Sequence, residues 1–126
     1  MTRFSRSSFA GVTAGFVLML AVFGLLVRAQ EGNERKFTVS AHKYAFSPAR
    51  LDVRQDDLVR VTFSTDDIPH SFTIDKYRIA KRVEPSKPIV FEFRADQPGR
   101  FPIYCNLAAD DGCRKMIGEL VVTAHK

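Results

Sequence analysis

Short apolar runs with a period of two are the feature that most constrains this sequence. Alternation places successive apolar side chains on one face of a β-strand and polar side chains on the other. The runs comprise Phe37, Val39 and Ala41; Leu51 and Val53; Val59, Val61 and Phe63; Phe72 and Ile74; Ile89, Phe91 and Phe93; Phe101, Ile103 and Cys105; and Leu120 and Val122. The pattern predicts strands that each bury one face.

Turn-forming residues separate these runs. They stand at Ser47-Pro48, Gln55–Asp57, Asp66–Pro69, Pro85–Pro88 and Gln97–Gly99. Seven or eight short strands at this spacing are typical of an antiparallel β-sandwich or barrel. No stretch after residue 30 has a long helical period, so we predict an all-β fold.

The N-terminal segment has the pattern of an export signal. Arg3 and Arg6 precede an apolar run over Ala10–Val27, and Val27-Arg28-Ala29 follows as a candidate cleavage site. We predict that residues 1–29 form either a cleaved signal peptide or a membrane anchor held by that apolar run. Positive charge at the N-terminus stays in the cytoplasm and sends the remainder of the chain across the membrane.

The remainder divides into a polar linker over residues 30–36 and one domain over residues 37–126. We predict that this domain is monomeric and exported to the periplasm, where it is soluble or tethered to the inner membrane. Most of the net charge of +5 lies in residues 1–29, because this segment contains Arg3, Arg6 and Arg28 and no acidic residue. Basic and acidic residues are nearly equal in number in the rest of the chain, which argues against a nucleic-acid-binding protein.

Four residues carry candidate metal-binding chemistry. His70 follows a turn and begins a strand run, whereas Cys105 follows the run that starts at Phe101. Cys113 comes eight positions after Cys105, Met116 follows three later, and the intervening loop is rich in small and polar residues. An imidazole, two thiols and a thioether favour copper, particularly Cu(I), over magnesium, calcium or manganese.

These segments resemble the cupredoxin family, most of all the soluble copper domain of cytochrome c oxidase subunit II and of nitrous oxide reductase. The similarity covers roughly Phe37–Thr123, nearly the whole predicted domain. It is carried by Ile68–Ile74, Lys76–Val83, Asp96–Gly99, Gly99–Cys105 and Cys113–Leu120. The resemblance implies a Greek-key β-sandwich or barrel with His70, Cys105 and Met116 as copper ligands.

Two departures from the family pattern change the implied site. The second cysteine of the family's binuclear copper centre falls on Ala109, and its second histidine falls on Cys113. The resemblance therefore implies a mononuclear site for one copper ion, with Cys113 as a ligand by position. We expect no enzymatic activity, because there is no Ser/His/Asp arrangement, phosphate loop or second ligand cluster.

Three functions are open at this point. An electron carrier would need a redox partner protein, and a periplasmic Cu(I) chaperone or assembly factor would need a copper acceptor. A metal-free interaction module would instead use Cys105 and Cys113 as a structural disulfide.

A basic run is expected to be a solvated face or loop, or a docking patch for an acidic redox partner or an anionic membrane. It comprises Lys76, Arg78, Lys81, Arg82 and Lys87.

Overall fold

The alternating runs form strands in a computed structural model of the chain, which describes residues 32–109 and 111–125. The predicted leader, residues 1–29, lies outside these described residues. The strands are β1 (Glu34–His42), β2 (Ala45–Ser47), β3 (Arg50–Arg54), β4 (Leu58–Thr65), β5 (His70–Ile74), β6 (Ile79–Val83), β7 (Ile89–Arg94), β8 (Gly99–Tyr104) and β9 (Ile117–Thr123). Two short 3-10 turns, Asp75–Tyr77 and Cys113–Lys115, complete the regular structure of this part of the chain.

The strands form two sheets, and the predicted all-β sandwich is confirmed. One sheet has the order β2-β1-β4-β7 and the other has the order β3-β9-β8-β5-β6. The expectation of purely antiparallel sheets is wrong, because β1 pairs with β4 and β3 pairs with β9 in parallel. The chain between β1 and β4, and the chain between β3 and β9, each pass through the other sheet. A connection of this kind allows two strands of one sheet to run parallel.

The core lies between the two sheets and is built from the inward-facing positions of the predicted runs. Four phenylalanines form its centre, with ring centroids 5.3 to 6.3 Å apart in tilted or edge-on arrangements. They are Phe46, Phe63, Phe72 and Phe91. Burying one such ring contributes about 1.5–3 kcal/mol to stability. This packing fixes the strand ends that carry the candidate site.

Two strands were absent from the predicted runs. β2 has only three residues, which is too short for alternation to be recognised. β6 contains Lys81 and Arg82, and only its ends, Ile79 and Val83, are buried. The Lys81 ammonium lies 6.0 Å from the Phe91 ring centroid, so its stem covers core surface at a sheet edge. The basic run therefore does not form a single element. Lys81 and Arg82 lie on this exposed strand, Lys76 and Arg78 lie in and directly after the 3-10 turn before it, and Lys87 follows the strand in a bridge with Glu84.

The strand register brings the four candidate residues to the same end of the second sheet. Val83 pairs with His70 at the start of β5, and Ile117 pairs with Tyr104 at the end of β8. Cys105 follows β8 directly, and the turn Cys113–Lys115 leads through Met116 into β9. Within residues 32–109 and 111–125, the structure contains no helical segment with the length and apolar character that a membrane crossing requires.

Candidate metal centre

His70 is a fully buried histidine with one unsatisfied ring nitrogen. Its Nε2 lies 2.9 Å from Asp67 Oδ1, whereas its Nδ1 is buried without any hydrogen-bond partner. Because a carboxylate can only accept, Nε2 carries the proton and donates it to Asp67. In a neutral imidazole, Nδ1 then bears a lone pair, and no protein group among the described residues hydrogen-bonds to it. A buried acceptor without a partner costs about 1–3 kcal/mol of stability.

Asp67 holds this tautomer in place. Its Oδ1 also accepts from the Ile68 amide at 2.6 Å and from the Thr65 hydroxyl at 2.9 Å, and its Oδ2 accepts from the Lys43 amide at 2.6 Å. Burial alone would raise the pKa of Asp67, but these donors and the His70 ring together hold that pKa well below its usual range. The carboxylate is therefore ionised at neutral pH and a permanent acceptor for Nε2–H.

Cys105 and Cys113 are joined by a disulfide, with their Cα atoms 5.2 Å apart. Both residues are buried, with exposed fractions of 2% and 0%. Residues that are eight positions apart in the sequence are therefore adjacent in the fold, and their two sulfurs lie together. In the disulfide neither sulfur is a thiolate, the form in which cysteine binds metals.

Each sulfur accepts a backbone hydrogen bond. The Ser71 amide donates to Cys105 Sγ at 3.3 Å, and the Leu107 amide donates to Cys113 Sγ at 3.2 Å. The first contact ties the end of β8 to the start of β5, directly beside His70. A second tie joins the same segments, since Ser71 Oγ donates to Asn106 Oδ1 at 2.6 Å and accepts from the Asn106 amide at 2.8 Å.

Met116 is fully buried in the core of the domain, which also contains the two cysteines. Its amide donates to the Cys113 carbonyl at 3.1 Å, which closes the 3-10 turn before β9. The turn places Met116 directly after the cysteine loop, at the end of the sheet where His70 lies. The structure thus gathers all four predicted residues at one buried end of the sandwich.

Comparison with known proteins settles the family. The sequence profile of the cupredoxin-like domain matches residues 15–122. The chain belongs to this family. This result confirms the family that the sequence motifs indicated.

Similar proteins include copper proteins of several kinds. Nitrous-oxide reductase of Stutzerimonas stutzeri is 25% identical over 97 residues, which cover 74% of this cupredoxin-like chain and only 15% of that protein. The periplasmic domain of cytochrome oxidase subunit II (CoxB) of Bradyrhizobium japonicum superimposes with a TM-score of 0.62 at 12% identity, over 71% of this chain and 83% of that domain. The metal-binding domain of the Cu(I)-exporting ATPase CopA of Streptococcus pneumoniae, solved with Cu(I), superimposes with a TM-score of 0.60 at 18% identity. The match covers 74% of this chain and 89% of that domain. At these identities the structural likeness shows the fold.

The other two histidines of the described domain lie away from this cluster. His42 Nδ1 is 2.7 Å from Asp66 Oδ1, and His125 Nε2 is 2.7 Å from Asp56 Oδ2, with both histidines exposed. His42, Asp66 and Asp67 together offer donor atoms within 4.8 Å of one another at the surface. Exposed contacts between histidine and carboxylate groups are common without a metal.

Sequence reasoning missed the partners of the four residues. Asp67 was read only as part of a turn, and Ser71 and Asn106 were not singled out. Asp67 precedes His70 by three positions in a Pro-containing turn, a spacing from which its carboxylate can reach back to the ring. This spacing was the available signal. The backbone donors at Ser71 and Leu107 leave no signal in the sequence.

The donor set of this cupredoxin-like domain fits copper when the disulfide is reduced. The unpartnered His70 Nδ1 lies at the end of the domain that also holds two sulfurs and a buried thioether. In the disulfide state only the imidazole and the thioether of that set would be available, without a thiolate ligand.

Proposed function

We propose that this cupredoxin-like domain binds one copper ion through His70, Cys105, Cys113 and Met116 once its cysteines are reduced. The observation that carries the proposal is the buried Nδ1 of His70, which has no hydrogen-bond partner among the described residues. Buried polar atoms without partners are rare in folded proteins, and a metal ligand is one explanation for such an atom. A bound ion would satisfy that nitrogen.

The chemistry of the donors selects copper within this proposal. Thiolate and thioether sulfur are soft ligands that suit Cu(I), and imidazole suits copper in both oxidation states. Hydrogen bonding between Asp67 and Nε2 is a typical way for a protein to orient a ligating imidazole and raise its basicity. Ala109 supplies no second bridging thiolate, which supports a mononuclear centre over a binuclear one.

Electron transfer is the role that we propose first. All four candidate ligands are buried, and three backbone or side-chain ties fix the strand ends that carry them. A constrained, water-poor site of this kind suits an ion that changes charge without changing its ligands. Its partner would be a redox protein, and the domain itself would not be an enzyme.

A Cu(I) carrier is the second candidate. It is favoured by the disulfide, because two cysteines that pair when empty can release or accept a soft ion as their redox state changes. Its partner would be a protein that accepts copper. The structural likeness to a Cu(I)-bound domain of a copper exporter is compatible with this role.

A metal-free module is the third candidate, also favoured by the disulfide. Closing the loop from Cys105 to Cys113 would stabilise the fold by about 2.6 kcal/mol through loop-closure entropy. All three candidates share export, which the arginines and apolar run before residue 30 support. The fold similarity to a periplasmic domain is compatible with export.

Copper stoichiometry and visible absorption of the purified, reduced chain test the proposal. One tightly bound copper with an intense thiolate-to-Cu(II) band that bleaches and returns on cycling is the expected result for an electron carrier. One Cu(I) without a stable coloured Cu(II) form would select the carrier. A reduced chain that binds no copper would overturn the copper proposal and leave the metal-free module.

A further inference from the structure

We propose that the basic run on and beside β6 is the docking surface for an acidic partner protein. The proposal deepens the proposed function and rests on it for what the partner exchanges, which is an electron or a copper ion. All five cations of the basic run are exposed. They are Lys76, Arg78, Lys81, Arg82 and Lys87.

The positive charge of the domain is concentrated in one segment. Residues 75–88 contain five Lys and Arg side chains and two carboxylates. The rest of residues 30–126 contains 11 Lys and Arg side chains and 12 carboxylates, so it carries a slight negative charge. The nearly balanced composition of the whole domain therefore conceals one strongly basic segment.

The basic run follows one edge of the sandwich. β6 is the outermost strand of its sheet, beyond β5. Arg78 directly precedes this strand, and Lys87 lies opposite Glu84 directly after it. A strand rises about 3.3 Å per residue, so these two cations are roughly 20 Å apart along the edge. A surface of this length fits within a protein–protein interface of standard size.

The carboxylates of the segment are already engaged by other groups. Glu84 accepts from Arg82 at 2.8 Å, and Asp75 accepts from the Tyr104 hydroxyl at 2.6 Å. In the part of the chain that the structure describes, the other four cations of the basic run have no ion-pair partner. An acidic surface on a second protein would supply the opposite charge.

The end of the basic run beside the 3-10 turn stays positive when its neighbours are included. One cleft there is lined by three cations, Lys76, Arg78 and Arg94, together with Asp75 and Asp96. The cations in this cleft therefore outnumber the carboxylates.

Protection of the strand edge does not account for the whole basic run. Charged side chains on an edge strand deter pairing with a second strand, and Lys81 and Arg82 meet that need within β6. Lys76, Arg78 and Lys87 lie outside the strand and shield no edge. These three cations are the part of the run that a docking role explains.

The basic run borders the strand that begins at His70. Val83 pairs with His70, and Arg82 pairs with Ser71, whose amide lies 3.3 Å from Cys105 Sγ. Adjacent strands are about 4.8 Å apart. A partner docked along β6 would therefore have only that strand between itself and the strand of a proposed copper ligand.

The segment favours a protein over an anionic membrane as its partner. Helices that bind at a membrane surface combine cations with exposed large apolar side chains that enter the lipid. Within the described residues, the exposed large apolar side chains are Tyr44, Val90 and Ile117, and all three lie outside residues 75–88.

An NMR titration of the full-length, oxidised, metal-free chain with oligoglutamate tests this inference. Amide shifts are expected to concentrate in residues 76–88, and added salt is expected to weaken the binding. The double variant Lys76→Glu/Lys87→Glu reverses two exposed cations and is expected to lower the affinity by about tenfold. The control Lys36→Glu/Arg54→Glu changes the net charge equally on β1 and β3, and its expected loss is below about threefold.

Two outcomes would overturn the docking surface. One is an equal loss of affinity in the two double variants, and the other is a set of amide shifts spread evenly over the domain. Co-sedimentation with phosphatidylglycerol vesicles tests the membrane alternative. If Lys76→Glu/Lys87→Glu releases the chain from these vesicles while both variants bind oligoglutamate equally, the basic run serves a membrane and the protein partner is wrong.

The titration separates this inference from the proposed function because it uses the metal-free chain. If oligoglutamate binds at residues 76–88 and the reduced chain binds no copper, the docking surface stands and the copper proposal fails. If the reduced chain binds copper and oligoglutamate does not bind at these residues, the copper proposal stands and the docking surface is wrong.

Discussion

Two rings with polar atoms, Tyr77 and His70, lie near opposite ends of β5 and differ in how completely those atoms are hydrogen-bonded. Beyond the end of the strand, Tyr77 packs against Phe93 and Phe101, with ring centroids 5.3 and 5.2 Å away. Its hydroxyl donates to the Gln97 carbonyl at 2.8 Å and accepts from the Gln97 amide at 3.1 Å. At the start of the strand, His70 is more deeply buried, yet one of its two nitrogens has no partner.

This difference separates a structural polar group from a functional one. The Tyr77 hydroxyl closes a two-way hydrogen bond with one backbone position, so its burial costs little and it joins two segments. The His70 ring uses one nitrogen to fix its orientation and leaves the other nitrogen available. The unpartnered nitrogen lowers the stability of the metal-free fold. A bound ligand would supply the partner that His70 Nδ1 lacks.

The largest expected effect is that of Cys105→Ser at the His70 end. The substitution removes a proposed copper ligand and also prevents the disulfide. We expect the Cu(I) affinity of the reduced chain to fall by more than about 100-fold, because loss of supporting outer groups alone costs about 10–100-fold in metal sites. Competition with a chromophoric Cu(I) chelator measures the change. Stoichiometric copper retained by this variant would refute the assignment of Cys105.

A pair of histidine substitutions sharpens the comparison. His70→Gln removes the unpartnered nitrogen and is expected to weaken copper binding by at least about tenfold. His42→Gln alters an exposed histidine that pairs with Asp66 and is expected to leave the affinity unchanged. Chelator competition measures both variants. Equal losses in the two variants would show that the buried Nδ1 has no special role.

Tyr77→Phe should have the opposite profile. Without the hydroxyl, the Gln97 amide and carbonyl lose their partner, and we expect the free energy of unfolding to fall by about 1–2 kcal/mol. The copper affinity of the reduced chain should not change, because Tyr77 lies at the far end of β5. Denaturant unfolding together with chelator competition measures both quantities. A loss of copper affinity would show that the two ends are coupled.

Acid should weaken the His70 end through Asp67, with the smallest effect of the four. The pKa of Asp67 is lowered in the folded state, so its contribution to stability is present above the unfolded value of about 3.9 and is lost as the pH falls below it. The side chain is 24% exposed, and we expect a loss of about 1 kcal/mol between pH 5 and pH 3.

Urea unfolding of the oxidised, metal-free chain at several pH values measures this slope. Asp67→Asn should flatten it, whereas Asp66→Asn changes a carboxylate that is 75% exposed and should leave it intact. An unchanged slope in the Asp67 variant would mean that its hydrogen bonds do not stabilise the fold.

Much of the sandwich could be predicted because its core strands alternate clearly. The runs around Val61, Phe91 and Leu120 all face inward as their spacing requires. β6 was missed because its three middle residues are exposed and two of them are cations. Its sequence therefore lacks the alternation of apolar and polar residues that marks the other strands. The parallel pairing of β1 with β4 depends on how the chain crosses between sheets, which no local pattern encodes.

The sequence could name candidate donors, whose role as copper ligands stays a prediction, but it could not give the state of the two cysteines. Residue type and order single out His70, Cys105, Cys113 and Met116, and the fold brings them to one end. Sequence left open whether the cysteines form a disulfide, because pairing depends on the distance across a folded loop. The hydrogen bonds of Asp67 and of two backbone amides depend on tertiary geometry in the same way.

X-ray absorption at the copper edge tests the central claim most directly. The reduced chain, loaded with one equivalent of Cu(I), is predicted to show a first coordination shell dominated by sulfur, with one imidazole nitrogen that disappears in His70→Gln. A shell of only nitrogen and oxygen atoms would contradict the account. So would an imidazole signal that is lost in His42→Gln and retained in His70→Gln.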